Sequence, residues 1–157
     1  MHLHDRCGEL TSIMMAKQYS TSFSLGIRML DKSLRFPISA IYGFTRAADE
    51  IVDTFHDYDK ADLLQRFKKD TYLAIQEGIS TNPILHSFQR IVNRYGIEKE
   101  VIDAFFTSME MDLHKSSYSS EDYNKYIYGS AEVVGLMCLS VFVNGNQSEY
   151  NDLLYGA

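Results

Sequence analysis

Apolar residues recur along most of this chain at three- and four-residue intervals, which gathers them on one side of an α-helix, and no β-hairpin signal competes. From Asp5 to Tyr19, the residues Leu10, Ile13, Met14 and Ala16 mark the apolar side of a first helix. The hydroxyls of Ser20-Thr21-Ser22 then compete for backbone hydrogen bonds and break it, which favours a helix end or a loop. A second helix is expected from near Ser33, with Pro37 tolerated in or near its first turn, until Asp57 to Asp59 close it. A third runs from Lys60 to Gln76 on Leu63, Leu64, Phe67, Leu73 and Ile75 and stops at Gly78. Asn82-Pro83, a cap followed by proline, opens a fourth to Tyr95 and Gly96, and a fifth spans about Glu98 to Lys115. Ser119 with Asp122 resembles a capping box and opens a sixth helix to about Val143, before Asn144-Gly145-Asn146. The pattern predicts an all-α protein, one helical domain over residues 1–157.

The final segment, from Ser148, stays periodic and apolar through Tyr150, Leu153, Leu154 and Tyr155, and no cap or charged run comes after it. The expectation is a truncated bundle whose open face would self-associate.

Composition narrows the function without naming it. Of 157 residues, 45% are hydrophobic and 13% aromatic, enough for a core. The formal charge of −6 leaves no basic stripe for a nucleic-acid backbone, so nucleic acid is excluded as a partner. Two cysteines, Cys7 and Cys138, far apart and outside any Cys/His cluster, fit a reducing, cytoplasmic compartment. No secretory signal opens the chain, and its longest oily run, Val133 to Val143, is too short to span a bilayer; contact with a membrane surface stays open.

Chemistry concentrates in Tyr42 to His56, read as one helix. Ile41, Phe44, Ala48, Ile51, Val52 and Phe55 share one arc, while Arg46, Asp49, Asp53 and His56 share another. Two carboxylates one turn apart repel by a few tenths of a kcal/mol, so the pair is either a solvated acidic face or a seat for a cation. Magnesium, a hard ion that keeps much of its water, is typically held by one or two carboxylates plus substrate phosphates, which suits Asp49 and Asp53 to a diphosphate clamp. Arg46 either pairs with Asp49 or Glu50 within the helix or reaches the diphosphate, and both are compatible.

Three stretches in order, STSFSLGIRML (20–30), AIYGFTRAADEIVD (40–53) and MEMDLHKSSYSSEDYNKYIYGSAEVVGLM (109–137), resemble the squalene and phytoene synthases. That resemblance implies the all-helical bundle of the isoprenoid synthases, of which this chain would be the amino-terminal half. It implies head-to-head joining of two prenyl diphosphates, farnesyl or geranylgeranyl, through a cyclopropyl intermediate. Mg²⁺, or Mn²⁺ in its place, would sit on Asp49 and Asp53, and NADPH would be needed only for squalene-type chemistry. Ser20 and Ser22 match serines near the diphosphate and Phe23 an aromatic beside the prenyl chain; Thr21 stands where the family often has Lys. Tyr128, Ala131, Val133, Val134 and Gly135 match the helix flanking the prenyl tunnel, with tight helix packing as the other reading of the small residues. Tyr128 would help stabilise charge on the reacting groups. Glu132 departs from the small residue usual there and is expected to point elsewhere. Asp112 matches an acidic position and would accept a hydrogen bond from Arg46 or a tyrosine, or lie at a helix-end surface. The second aspartate motif has no counterpart here, so this chain alone is expected to be inactive. Other readings are a different class I isoprenoid synthase, a di-iron bundle using Asp53-x-x-His56, and a non-catalytic helical interaction module.

Overall fold

The computed structural model describes residues 2–114 and 128–155, with the side chains of 128, 129 and 155 outside that description. Among the described residues there are eight α-helices: α1 (Leu3–Tyr19), α2 (Thr21–Met29), α3 (Lys32–Asp53), α4 (Lys60–Glu77), α5 (Pro83–Tyr95), α6 (Lys99–Leu113), α7 (Val133–Phe142) and α8 (Gln147–Tyr155). A π-helical turn, Tyr128–Glu132, leads into α7. The architecture is all-α, as the periodicity predicts.

α3 is the central helix, touching α1, α2, α4, α5, α6 and α7. Its apolar arc, Ile41, Phe44, Ala48, Ile51 and Val52, is buried as expected. Phe44 is 0% exposed and lies parallel to Phe88 of α5, their ring centroids 3.7 Å apart. Phe67, Phe105 and Phe106 close around it from α4 and α6. Burying each such side chain contributes about 1.5–3 kcal/mol, with offset and edge contacts between rings adding to it.

α1 packs on only part of the side its oily residues suggest, with Ala16 buried as expected but Leu10 and Met14 turned outward. Leu10 and Met14 are 55% and 62% exposed, and the buried residues are Gly8, Ser12 and Ala16, at intervals of one turn. Small side chains let helix backbones approach: a Cβ on Gly8 would lie 2.6 Å from Ser87 Oγ and 3.0 Å from the Pro83 carbonyl, and one on Gly43 would lie 3.4 Å from Ser12 Cα. Charge then fixes the pairing of α1 with α5. Asp5 accepts from the buried His86 at 2.9 Å, and Arg90 reaches Glu9 at 3.2 Å.

Four further expectations are corrected. The segment after Ser20 is a helix, α2, because Ser20 both ends α1 and caps the next helix, its Oγ accepting from Phe23 N–H at 3.1 Å. Pro37 lies inside α3, one turn deeper than expected. The carbonyl it leaves without an intrahelical partner belongs to exposed Ser33, where water can serve. α3 ends at Asp53, so Phe55 and His56 fall on the turn beyond it; Phe55 is exposed and His56 Nδ1 meets Lys60 Nζ at 3.0 Å. On α4, Leu73 is exposed while Thr71 is buried, its hydroxyl satisfied by the Phe67 carbonyl at 2.7 Å. Gly78 and Gly96 end α4 and α5 in the left-handed region as predicted, with φ 71° and 65°. In α8, Tyr150 is buried, whereas Leu153 and Leu154 are exposed. The capping box expected at Ser119 and Asp122 lies outside the described residues.

Removing the Phe44 ring should destabilise the bundle by about 3–5 kcal/mol, and Gly8→Val by roughly 1–3 kcal/mol through overpacking against Ser87 and Pro83. Urea unfolding of the two variants against wild type measures both. A Gly8→Val variant as stable as wild type would show that α1 does not pack this closely.

Candidate functional site

The face of α3 beside its buried arc carries Ile38, Tyr42, Thr45 and Asp49, spaced four, three and four residues apart and so aligned in one stripe. That stripe forms the floor of a groove. Its narrower part, a cavity of about 270 Å³, is lined by Ile41, Tyr42, Thr45 and Asp49 of α3 and by Phe23 of α2 and Phe105 of α6. Ser130 and Ala131 of the π turn and Val134 and Cys138 of α7 complete it. A wider hollow of about 660 Å³ continues past Phe23, Tyr42 and Cys138, which line both parts, to Ile38, Leu30 and Phe142, with Ser20 and Ser22 at its edge. Phe23 and Tyr42 stack with ring centroids 4.4 Å apart at this junction. Burial raises the Cys138 thiol to about 11, so it lines the groove as a neutral group. The groove is therefore acidic at the Asp49 end and apolar at the other.

Electrostatics at the acidic end are unbalanced. Burial pushes the Asp49 carboxyl up to about 6; Arg46 opposes the shift, and the negative charges of Asp53, Asp112 and Glu50 add to it. Arg46 lies 3.9 Å from Asp49, forks toward Glu50, and rests its guanidinium 4.6 Å from the centre of the Tyr19 ring. Its Nε is buried and has no hydrogen-bond partner among the described residues. Asp53 is exposed in the last turn of α3, at the negative end of the helix dipole, where Lys60 at the start of α4 donates to the Val52 carbonyl at 2.6 Å. Hard carboxylate oxygens with surplus negative charge fit a divalent cation. Among the described residues no group of three or more His, Cys, Asp or Glu side chains is placed to hold a metal, so a cation on Asp49 and Asp53 would take further oxygens from a ligand. Asp53 and His56 cannot act as the helical ligand pair of a di-iron bundle, because His56 has left the helix.

The structure thus brings Asp49, Phe23, Ala131 and Val134 into one cavity, sets Ser20 and Ser22 along its continuation, and places Arg46 and Asp112 within electrostatic reach of Asp49. It does not bring Val133 or Gly135 there. Val133 is fully buried in the core, and a Cβ on Gly135 would meet nothing within 4 Å. A π turn takes more residues per turn than an α-helix and so rotates every later position, which turns Val133 inward and Gly135 outward. Glu132 is exposed, as expected. The Tyr128 side chain lies outside the described residues. Tyr42 and Thr45 escaped the sequence reading, although their alignment with Asp49 was available in the helical period. The Tyr19 contact with Arg46 had no such signal, since it joins two helices.

Known proteins give the arrangement a family. The squalene/phytoene synthase profile matches residues 16–153, nearly the whole chain. This chain belongs to the squalene/phytoene synthase family. A phytoene synthase of Daucus carota is 32% identical over 155 residues, covering 88% of this chain and 34% of its own length. Phytoene synthase 1 of Zea mays is 26% identical, covering 93% and 35%. Among solved structures, a dehydrosqualene synthase in complex with ligand superposes with a TM-score of 0.75 at 20% identity, over 87% of this chain and 47% of that one. That likeness shows the isoprenoid-synthase fold. The chain spans about a third of the length of the curated relatives it matches.

Because the Asp49 carboxyl titrates near 6, above the range of an exposed aspartate, ionising it costs folding free energy. Its favourable contribution is present below the unfolded-state value and is lost as pH rises through about 6. Asp49→Asn should therefore melt at higher temperature than wild type at neutral pH, with the difference shrinking as pH falls toward 4. Thermal melts across this range check it, and a gap that widens on acidification would reverse the assignment.

Proposed function

We propose that the activity served by this groove is the Mg²⁺-dependent head-to-head condensation of two prenyl diphosphates, in a protein of the length its relatives have. The observation that carries the reading is the polarity of the groove: Asp49 at one end, and Ile38, Leu30 and Phe142 at the other, joined past a stacked Phe23–Tyr42 pair. A prenyl diphosphate has the same polarity. Its charged head belongs at Asp49 and its hydrocarbon along the apolar hollow, where burying each methylene contributes about 0.8 kcal/mol.

Asp49 and Asp53 would hold the cation, whose charge neutralises the diphosphate as the C–O bond ionises. Arg46 is kept in place by Glu50, Asp49 and the Tyr19 face, so a donor to the diphosphate is pre-oriented at little entropic cost. Ser20 and Ser22, whose hydroxyls lie 3.4 Å apart, offer further donors at the groove edge. Phe23, Ala131 and Val134 shape the hydrocarbon path and keep water from the allylic centre. Farnesyl and geranylgeranyl diphosphates are the substrates proposed.

Two carboxylates form a weak magnesium site by themselves, so the 157-residue chain should bind Mg²⁺ only together with a diphosphate. Calorimetry with a non-hydrolysable prenyl thiodiphosphate should show metal-dependent binding that Asp49→Asn plus Asp53→Asn abolishes. Val134→Phe, which fills the cavity, should weaken the prenyl ligand about tenfold while leaving magnesium pyrophosphate unaffected. Metal-dependent binding that survives the double aspartate change would sink this proposal.

A further inference from the structure

Two charges around the α3–α4 turn stand where local preference would not put them. Lys60 is the first residue of α4, at the positive end of that helix's dipole, where the Asp59 cap and Asp62 in the first turn follow the usual acidic preference and Lys60 does not. The last turn of α3 carries the converse misfit, the Asp53 carboxylate at a negative dipole end with no basic residue in the same turn. The two meet across the turn. Lys60 Nζ donates to the Val52 carbonyl at 2.6 Å and lies 3.0 Å from His56 Nδ1. An ammonium has donors only, so that ring nitrogen is its acceptor.

The Val52 carbonyl needs this donor. In a continuing α-helix it would accept from the N–H of His56, but that N–H turns to the Thr54 carbonyl at 2.8 Å. The helix closes on the bond from Thr54 N–H to the Glu50 carbonyl at 3.0 Å, and carbonyls beyond it have no partner in the ladder. Helix ends left so fray. The Lys60–Val52 bond is partly buried, where an unpaired carbonyl is costly. Residues 54–59 are all exposed, so packing does little to hold the turn. Lys60 clasps the end of α3 to the start of α4 across it, and His56 holds the ammonium from the turn itself.

We propose that Lys60 is a positioning residue for Asp53: its ammonium, steadied by His56, keeps the last turn of α3 wound, so that Asp53 stays one turn from Asp49 on a single face. The inference rests on the reading of Asp49 and Asp53 as the magnesium–diphosphate clamp, and gives that clamp two residues that touch neither metal nor diphosphate. Asp49 is held by the core around it, since Ala48, Ile51 and Val52 are buried. Asp53 comes after the last of these and depends on the helix end. The partners of Lys60 among the described residues are Val52 and His56, so it secures the turn without occupying the Asp53 carboxylate.

Positioning and charge predict opposite signs. Removing a cation from beside a magnesium site lessens its repulsion of the metal and by itself tightens binding, whereas releasing the helix end weakens it. The variants are Lys60→Met, which keeps the aliphatic stem, Lys60→Arg, which restores a donor, and His56→Ala at an exposed position. Calorimetry of the 157-residue chain, titrating Mg²⁺ at a fixed excess of prenyl thiodiphosphate, should give metal binding about tenfold weaker in Lys60→Met, about threefold weaker in His56→Ala and close to wild type in Lys60→Arg. Hydrogen exchange without metal should show the amides of Asp53 and Thr54 opening about tenfold faster in Lys60→Met. Mg²⁺ binding in Lys60→Met as tight as wild type or tighter, or weakened with no change in exchange, overturns this inference while the clamp stands. A wild-type chain without metal-dependent binding overturns the clamp, and this inference with it.

Discussion

The stacking of Phe44 on Phe88, inside a ring of Phe67, Phe105 and Phe106, sets the rotation of α3 about its own axis. A helix has one rotational phase, so anchoring one arc fixes every other. With Phe44 pointing into the aromatic cluster, the stripe Ile38, Tyr42, Thr45 and Asp49 can face only the space between α2 and α7. Core and groove are thus two consequences of a single orientation. The rigidity of the cluster is what holds a carboxylate at a defined place beside an apolar channel.

At that place two opposing effects meet. Arg46 lies close enough to lower the Asp49 carboxyl, yet burial together with Asp53, Asp112 and Glu50 prevails and raises it. Arg46 is partly neutralised by its fork to Glu50, which explains why one guanidinium does not balance several acids. A metal ion carrying two positive charges would reverse the imbalance at once, since its field acts on Asp49 and Asp53 together. Under the proposed function, a site left electrostatically unfavourable by its own residues would gain affinity for a cation and diphosphate.

The small-residue face of α1 has a less obvious role. Gly8, Ser12 and Ala16 bring α1 close to α3 and α5, and α2 begins at the very residue where α1 ends. Close seating of α1 therefore decides how far α2 stands from α3, and hence how wide the groove is at Ser20, Ser22 and Phe23. The same seating turns Leu10 and Met14 outward. Hydrophobic residues here lose burial because the geometry of approach rewards the absence of side chains on the contact face.

Sequence alone determined the all-α class, the caps at Asn82, Gly78 and Gly96, the buried arc of α3, and the alignment of Arg46 with Asp49, because each depends on periods and propensities within one segment. The family was legible too, in motifs whose order and spacing are properties of the chain. Tertiary structure decided the rest. It kept Ala16 inward but preferred Gly8 and Ser12 to Leu10 and Met14 on α1, since packing compares two surfaces and not one. It separated Val133 and Gly135 from Ala131 and Val134, because a π turn shifts the helical phase and leaves no local mark in composition. It brought Tyr19 under Arg46 and Asp112 toward Asp49, which are juxtapositions of separate helices. A helical period reports which residues share a face; which face meets which neighbour is settled only when all the helices compete for the same core.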